Sequence, residues 1–296
     1  MAPKLELSRR TPGAGAARPD GLAGIGPLPE AGTTATWSVG ARVTLAALAE
    51  HPDIWRIFPA LAQAAAAAAH PPQPRLATVA GNLAQPSRCR YFRRRDVQCR
   101  KKGGRGCFAR IGENKYHALF AGGICVSPCG SGVAVALAAL DARIVVQSGR
   151  RSRILTVAQL YADAWSGATV HNSLKPGELV RRILIPVVPG ARSTYLQVSE
   201  KAESDRALVS CAASARVAGN RLAGVRIALG AVAPVPWQVE EAHRFLEDRP
   251  IDAAVAEQAA GIVLRGAAPL SANGYKVAIA RALVRRSVQA LVAGAP

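Results

Sequence analysis

Five of the chain's six cysteines fall between residues 89 and 129. Crowding of this kind limits the possible folds, because thiols packed so closely in sequence serve a disulfide framework, a metal site or redox chemistry. Disulfide frameworks belong to small secreted domains. This chain has 296 residues and opens with MAPKLELSRRTPGAGAARPDG, which holds no apolar run of signal-peptide length. Metal binding or redox chemistry is therefore expected. The spacing is Cys89-x9-Cys99-x7-Cys107-x17-Cys125, with Cys129 four residues further on. Thiolates are soft ligands that select zinc, cuprous copper or iron-sulfur clusters. Structural zinc sites take their ligands from close pairs, and only Cys125-x3-Cys129 has that spacing. The longer gaps suit the four-cysteine shell of an iron-sulfur cluster on Cys89, Cys99, Cys107 and Cys125. A zinc-stabilised, basic nucleic-acid-binding protein using Cys107, Cys125 and Cys129 is the competing reading.

The formal charge of +19 favours partners rich in phosphate or carboxylate. Arginine is nevertheless spread along the whole chain, and aromatic residues make up only 5%, so the stacking platforms of single-strand binders are scarce and a nucleic-acid partner is not expected. No stretch is long and apolar enough to cross a bilayer without a break, which leads to the expectation of a cytoplasmic protein without membrane association. Among the cysteines stand Arg88, Arg90, Arg93, Arg94, Arg95, Arg100, Lys101, Lys102, Arg105 and Arg110. Positive charge there is expected to lower the thiol pKa values and to favour an anionic cluster.

Residues 1–18 read as a disordered leader of Gly, Ala, Pro and Arg. A strand is expected over 36–43, then a helix capped by Thr44 that stops before Pro52, and a second helix opened by Pro59 and ended by Pro71. LATVAGNL (76–83) reads as a strand-to-loop transition whose small residues let backbone N–H groups approach a ligand. VAVALAALDA (133–142) reads as a helix, ARIVVQ and SRILTV as a hairpin, and LVRRILIP (179–186) as a strand. Further strands are expected over 193–199, 208–217 and 222–229, the last two joined by a turn at Ala218-Gly219-Asn220. Helices follow over 238–247, 251–265 and 275–291. Strands first and helices afterwards predict an α+β arrangement. His117, in KYHALF, reads as a packed or hydrogen-bonded histidine on a strand. No Ser-His-Asp order, paired carboxylates or phosphate-binding loop stands out.

The stretches LATVAGNLAQPSRCRYFR, CRKKGGRGCFA, GENKYHALF and LAALDA, followed by IALGAVAPVPW and PLSANGYKVAIARALVRR, resemble the flavin-binding medium subunits of molybdenum hydroxylases. The likeness is to the subclass, seen in aldehyde oxidoreductases and aromatic acyl-CoA reductases, whose medium subunit has an extra four-iron four-sulfur (4Fe-4S) cluster loop. It implies the remainder of a PCMH-type FAD-binding domain over 19–186, with the cysteine loop at 84–130. A C-terminal domain over 187–296 would carry an antiparallel three-stranded sheet with a helical bundle on one face. It further implies cluster ligands at Cys89, Cys99, Cys107 and Cys125, and FAD contacts at Thr78, Ala80, Gly81 and Asn82. The expected partners are a molybdenum-cofactor large subunit, which would do the substrate chemistry, and a 2Fe-2S small subunit. The chain would pass electrons between an iron-sulfur centre and FAD and would carry no catalytic residue of its own. The family begins with a Gly-Gly-Thr loop for the FAD pyrophosphate that residues 1–18 do not match, so the chain reads as N-terminally truncated. Gly132 and Gln197 stand where the family carries Asp and Lys, and Cys129 and Cys211 have no counterpart. A cofactor-free remnant of the flavin subunit is the remaining alternative.

Overall fold

Two antiparallel sheets organise the molecule. The first has five strands in the order β1-β2-β5-β3-β4: β1 (Ile25–Pro27), β2 (Thr36–Gly40), β3 (Arg143–Ser148), β4 (Arg151–Thr156) and β5 (Leu179–Pro186). The second has three strands in chain order: β6 (Ala191–Ser199), β7 (Ala207–Ala218) and β8 (Arg221–Gly230). This is a computed structural model that describes residues 21–28, 35–68, 76–123, 125–167, 169–201 and 206–293. The leader read over 1–18 and the helix stop at Pro71 lie outside the described residues.

The β3–β4 hairpin forms as its β-branched residues predict, with Gly149 at φ +54 in the tight turn. The β7–β8 hairpin likewise turns on Gly219 at φ +58. Against the first sheet lie α4 (Val79–Leu83) and α7 (Val157–Ser166), while α1 (Leu45–Glu50) and α2 (Pro52–Ile57) pack on α3 (Pro59–Ala68), which lies against β6. Thr44 caps α1 as expected, its hydroxyl accepting from Ala47 N at 3.1 Å. Pro52 does stop α1, but it also opens α2, which the sequence reading missed. A proline at the first helical position has no N–H to lose there.

Helix α6 (Gly132–Ala139) has no polar face, and Val133 to Ala139 are all buried. A helix apolar all round must be covered on every side. It lies between the sheets, where Ala212 of β7 and Ala228 of β8 join its apolar cluster and Ser214 donates to the Ala139 carbonyl at 2.5 Å. On the second sheet, α8 (Glu240–Leu246), α9 (Ala253–Val263) and α10 (Tyr275–Ala293) bury Ala242, Leu246, Ala256, Val263, Val284, Val288 and Leu291 against Val209, Ile227 and Leu229. The expected α+β class and the three-stranded sheet with helices beside it are what the structure has.

Two local expectations fail. LATVAGNL does not run from strand to loop: Thr78 accepts from Gly81 N at 3.1 Å and so caps α4, a short helix. KYHALF is an irregular turn, not a strand, because its backbone bonds go to separate partners: His117 N to Asn114 O, Ala118 N to Val126 O, and Leu119 N to Val232 O.

Candidate functional site

A cleft of about 750 Å³ opens between α4, the start of α6 and the second sheet, within the usual size of a cofactor pocket. Thr78, Gly81 and Asn82 line it. Ala80 does not: it packs against the apolar core, and its amide donates to Ala41 O at 3.1 Å. The amides of this segment are also not available to a ligand as expected. Val79 N bonds Val43 O at 2.9 Å, Gly81 N bonds the Thr78 hydroxyl, and Asn82 N bonds Thr78 O at 2.9 Å. The Thr78 cap takes those of Gly81 and Asn82, and the main chain at Ala41 and Val43 takes those of Ala80 and Val79. What the segment offers instead is room, since a Cβ at Gly81 would meet only the Thr78 hydroxyl, 3.2 Å away.

Across the cleft, the two departures from the family pattern prove to be neighbours. Tyr195 Oη lies 2.6 Å from where a Gly132 Cβ would stand, and it donates to Gln197 Oε1 at 3.1 Å. An aspartate at 132 would need that tyrosine to move. The charged lining is Arg88, Arg90, Lys115 and Arg206 against Glu113. Burial, followed by the like charges of Arg206 and Arg93, lowers the pKa of Arg88, while Arg90 pairs with Glu113 and Lys115 with Glu200. The apolar floor, the polar rim and this basic wall fit a flavin dinucleotide.

Next to the cleft, Cys89, Cys99, Cys107 and Cys125 all line one small cavity together with Lys101 and His117. Three of them immediately precede short helical turns: Cys89 stands before α5 (Arg90–Arg93), Cys99 before a 3-10 turn at Arg100–Lys102, and Cys107 before another at Phe108–Arg110. The Gly103-Gly104 step allows the fold-back between the last two. Gly103 has φ +88, and a Cβ at Gly104 would lie 2.0 Å from Gln98 O. The donor set fits an iron-sulfur cluster. The cavity they line has a free volume of about 10 Å³. Among the described residues, no three His, Cys, Asp or Glu side chains are arranged to hold a single metal ion. The zinc set is not assembled either: Cys129 lines the cleft and not the cysteine cavity. Cys211 is buried in β7 within the second core.

The expected lowering of thiol pKa values does not occur at two of the four cysteines. Burial raises Cys89 and Cys125, and neighbouring cysteines raise both further. Arg90, Arg93, Arg94, Arg95, Arg105 and Arg110 are exposed, where water screens them. Lys101 is the buried exception. Its Nζ donates to Val170 O at 2.5 Å, and its charge draws Cys125 back down.

His117 joins the two hollows. Its Nε2 lies 3.2 Å from Cys89 Sγ, its Nδ1 is buried without a partner, and burial pulls its pKa down to about 4, leaving the ring neutral. A seam of fully buried polar residues, which no sequence pattern announced, holds this stretch on the second sheet's helices. Asn114 Nδ2 donates to Ala109 O and Ser271 Oγ, Asn273 Nδ2 to the carbonyls of His117 and Ala118, and Lys276 Nζ to His117 O at 2.9 Å and Ala231 O at 2.5 Å. Ala231 is held at φ +60 beside the cleft.

Comparison with known proteins agrees with this architecture. The model for the FAD binding domain in molybdopterin dehydrogenase matches residues 22–188, and that for the CO dehydrogenase flavoprotein C-terminal domain matches residues 194–291. The chain is 31% identical over 246 residues to the aldehyde oxidoreductase FAD-binding subunit PaoB of Escherichia coli, covering 82% of this chain and 74% of that one. It is 30% identical over 114 residues to the glyceraldehyde dehydrogenase medium chain of Sulfolobus acidocaldarius, 38% of each chain. The fold matches a carbon monoxide dehydrogenase structure from Hydrogenophaga pseudoflava with a TM-score of 0.68 at 22% identity, over 93% of this chain and 79% of that one. The chain therefore belongs to the family of FAD-binding medium subunits of the molybdenum hydroxylases, and it is an oxidoreductase subunit.

Proposed function

We propose that this chain carries both FAD and a 4Fe-4S cluster and passes electrons between them within a multi-subunit molybdenum-dependent oxidoreductase. A molybdenum-cofactor large subunit and a 2Fe-2S small subunit are its partners, and the substrate reacts on the large subunit. The observation that supports this most is the convergence of Cys89, Cys99, Cys107 and Cys125 on one cavity that shares a wall with the cleft. Bound there, the cluster and the flavin supply one-electron and two-electron redox chemistry respectively. The chain's own residues place and tune them. Thr78, Gly81 and Asn82 form one wall for the flavin, while Arg88, Arg90, Lys115 and Arg206 meet its phosphates. Lys101 offsets negative charge at the thiolates from inside the cavity. No helix among the described residues is long and apolar enough to cross a membrane.

Anaerobic purification of the full chain with iron, acid-labile sulfide and flavin analysis tests this. The expected product is brown, with about four iron and about four sulfide per chain, and binds FAD. A folded, colourless protein that takes up neither iron nor flavin under reconstitution would reject the assignment, and stoichiometric zinc would move it to the zinc-protein reading.

A further inference from the structure

Of the four cysteines around the small cavity, Cys89 alone also borders the flavin cleft, and His117 stands beside it on the same shared wall. We propose that His117 donates its Nε2 proton to the Cys89 sulfur and thereby sets the reduction potential of the cluster at the corner facing the flavin. This rests on the cluster reading above and adds to it a positioning residue that is not itself a ligand.

The two ring nitrogens of His117 have different surroundings. On Nδ1 the ring's one proton would be a buried donor with no acceptor, because Nδ1 has no partner. On Nε2 it faces a sulfur at 3.2 Å. A thiolate accepts strongly from such a donor, so a ligating Cys89 selects the Nε2–H tautomer. The backbone that carries the ring is fixed. His117 N donates to Asn114 O at 2.9 Å, and the His117 carbonyl is gripped by both Asn273 and Lys276. From the other side, Cys89 N donates to Ser87 Oγ at 3.1 Å, which fixes the sulfur's approach.

The consequence is electrostatic. A cluster gains one negative charge on reduction, and a hydrogen bond to a ligating sulfur stabilises the more negative state, raising the potential. Because Cys89 is the one of the four cavity cysteines that also lines the cleft, this bond acts on the side of the cluster that faces the electron's partner.

The test uses the iron-loaded full chain in three forms, wild type, His117→Ala and His117→Gln, with iron analysis and a redox titration followed by electron paramagnetic resonance. Iron content is expected to be equal in all three. In His117→Ala, the ratio of oxidised to reduced cluster at a fixed potential is expected to rise about tenfold, a midpoint lower by about 59 mV for one electron. His117→Gln, which keeps an N–H within reach of the sulfur, recovers most of the shift. A wild-type chain that binds no iron overturns the cluster reading itself. Equal iron with an unchanged midpoint in His117→Ala overturns this inference alone, as does loss of iron from both variants, which would make His117 a packing residue.

Discussion

The second sheet and the cysteine loop lie side by side in this molecule and are held together by different physics. In the sheet, β6, β7 and β8 satisfy one another along two long ladders, each with one register shift, and Val209, Ile227, Leu229, Leu246 and Val284 are at most 1% exposed behind them. In the loop from 84 to 117, the buried residues are Ser87, Cys99, Lys101, Ala109, Asn114 and His117. Hydrophobic burial scales with apolar area removed from water, and one alanine and one thiol supply little of it. The sheet contains its own reasons to fold, whereas this stretch borrows its shape from polar bonds to its neighbours and from whatever Cys89, Cys99 and Cys107 hold together with Cys125.

The strongest way to break that contrast is to remove the sulfurs. Cys99→Ser combined with Cys107→Ser should abolish iron binding and open the Arg-rich loop to trypsin, with cleavage between residues 90 and 110 rising by about an order of magnitude or more, since locally opened segments are the ones proteases reach. Heat unfolding of the β6–β8 unit should be nearly unaffected. If limited proteolysis shows wild type and variant equally resistant, the loop is self-sufficient and the comparison collapses. The converse experiment acts on the sheet. Leu229→Ala leaves a hole in the second core and should cost about 2–5 kcal/mol in denaturant unfolding, while iron content measured well below the transition stays unchanged.

The same contrast explains what the sequence disclosed. The β7–β8 hairpin could be read because the Ala218-Gly219-Asn220 turn between two apolar runs encodes it locally, and α10 because Ala280, Val284, Val288 and Leu291 repeat at helical spacing. The crowding of the cysteines was visible, and the structure brings Cys89, Cys99, Cys107 and Cys125 to one cavity while Cys129 lines the cleft. The direction of the thiol shifts was not legible, because a count of arginines says nothing about which ones face water. Nor was the fate of the amides at Val79 to Asn82, since a threonine that caps a helix and a threonine that flanks a loop look alike in sequence. The seam of Asn114, Asn273 and Lys276 left no trace, because its partners are main-chain carbonyls at long sequence separation.

That seam is where the two regions meet, so weakening it sharpens the comparison. Asn273→Ala leaves the carbonyls of His117 and Ala118 short of a buried donor, at a cost of about 1–3 kcal/mol. If the loop depends on the sheet's helices as argued, tryptic cleavage in the loop should rise along with the loss of stability. A variant that loses stability with no change in loop cleavage would show that the two are uncoupled.

The smallest expected effect is a pH dependence at Lys276, whose side chain is 0% exposed and whose Nζ donates to His117 O and Ala231 O. Burial pulls its pKa down from 10.5 to about 7. The charged form is therefore the one that folding disfavours. Below about 7 both folded and unfolded chains hold the proton, and this group's contribution to stability is at its lowest and flat. Between about 7 and 10.5 the unfolded chain keeps a proton that the folded chain has released, so stability rises with pH, by about 1 kcal/mol from pH 7 to 8. Urea unfolding of wild type and Lys276→Met at the two pH values reads the difference. The variant loses stability at both, because two carbonyls lose their donor, but its slope over this interval should be smaller by that amount. Equal slopes would mean that the two carbonyls suffice to keep the ammonium charged, and the loop would then be tied to the sheet's helices by a cation at every physiological pH.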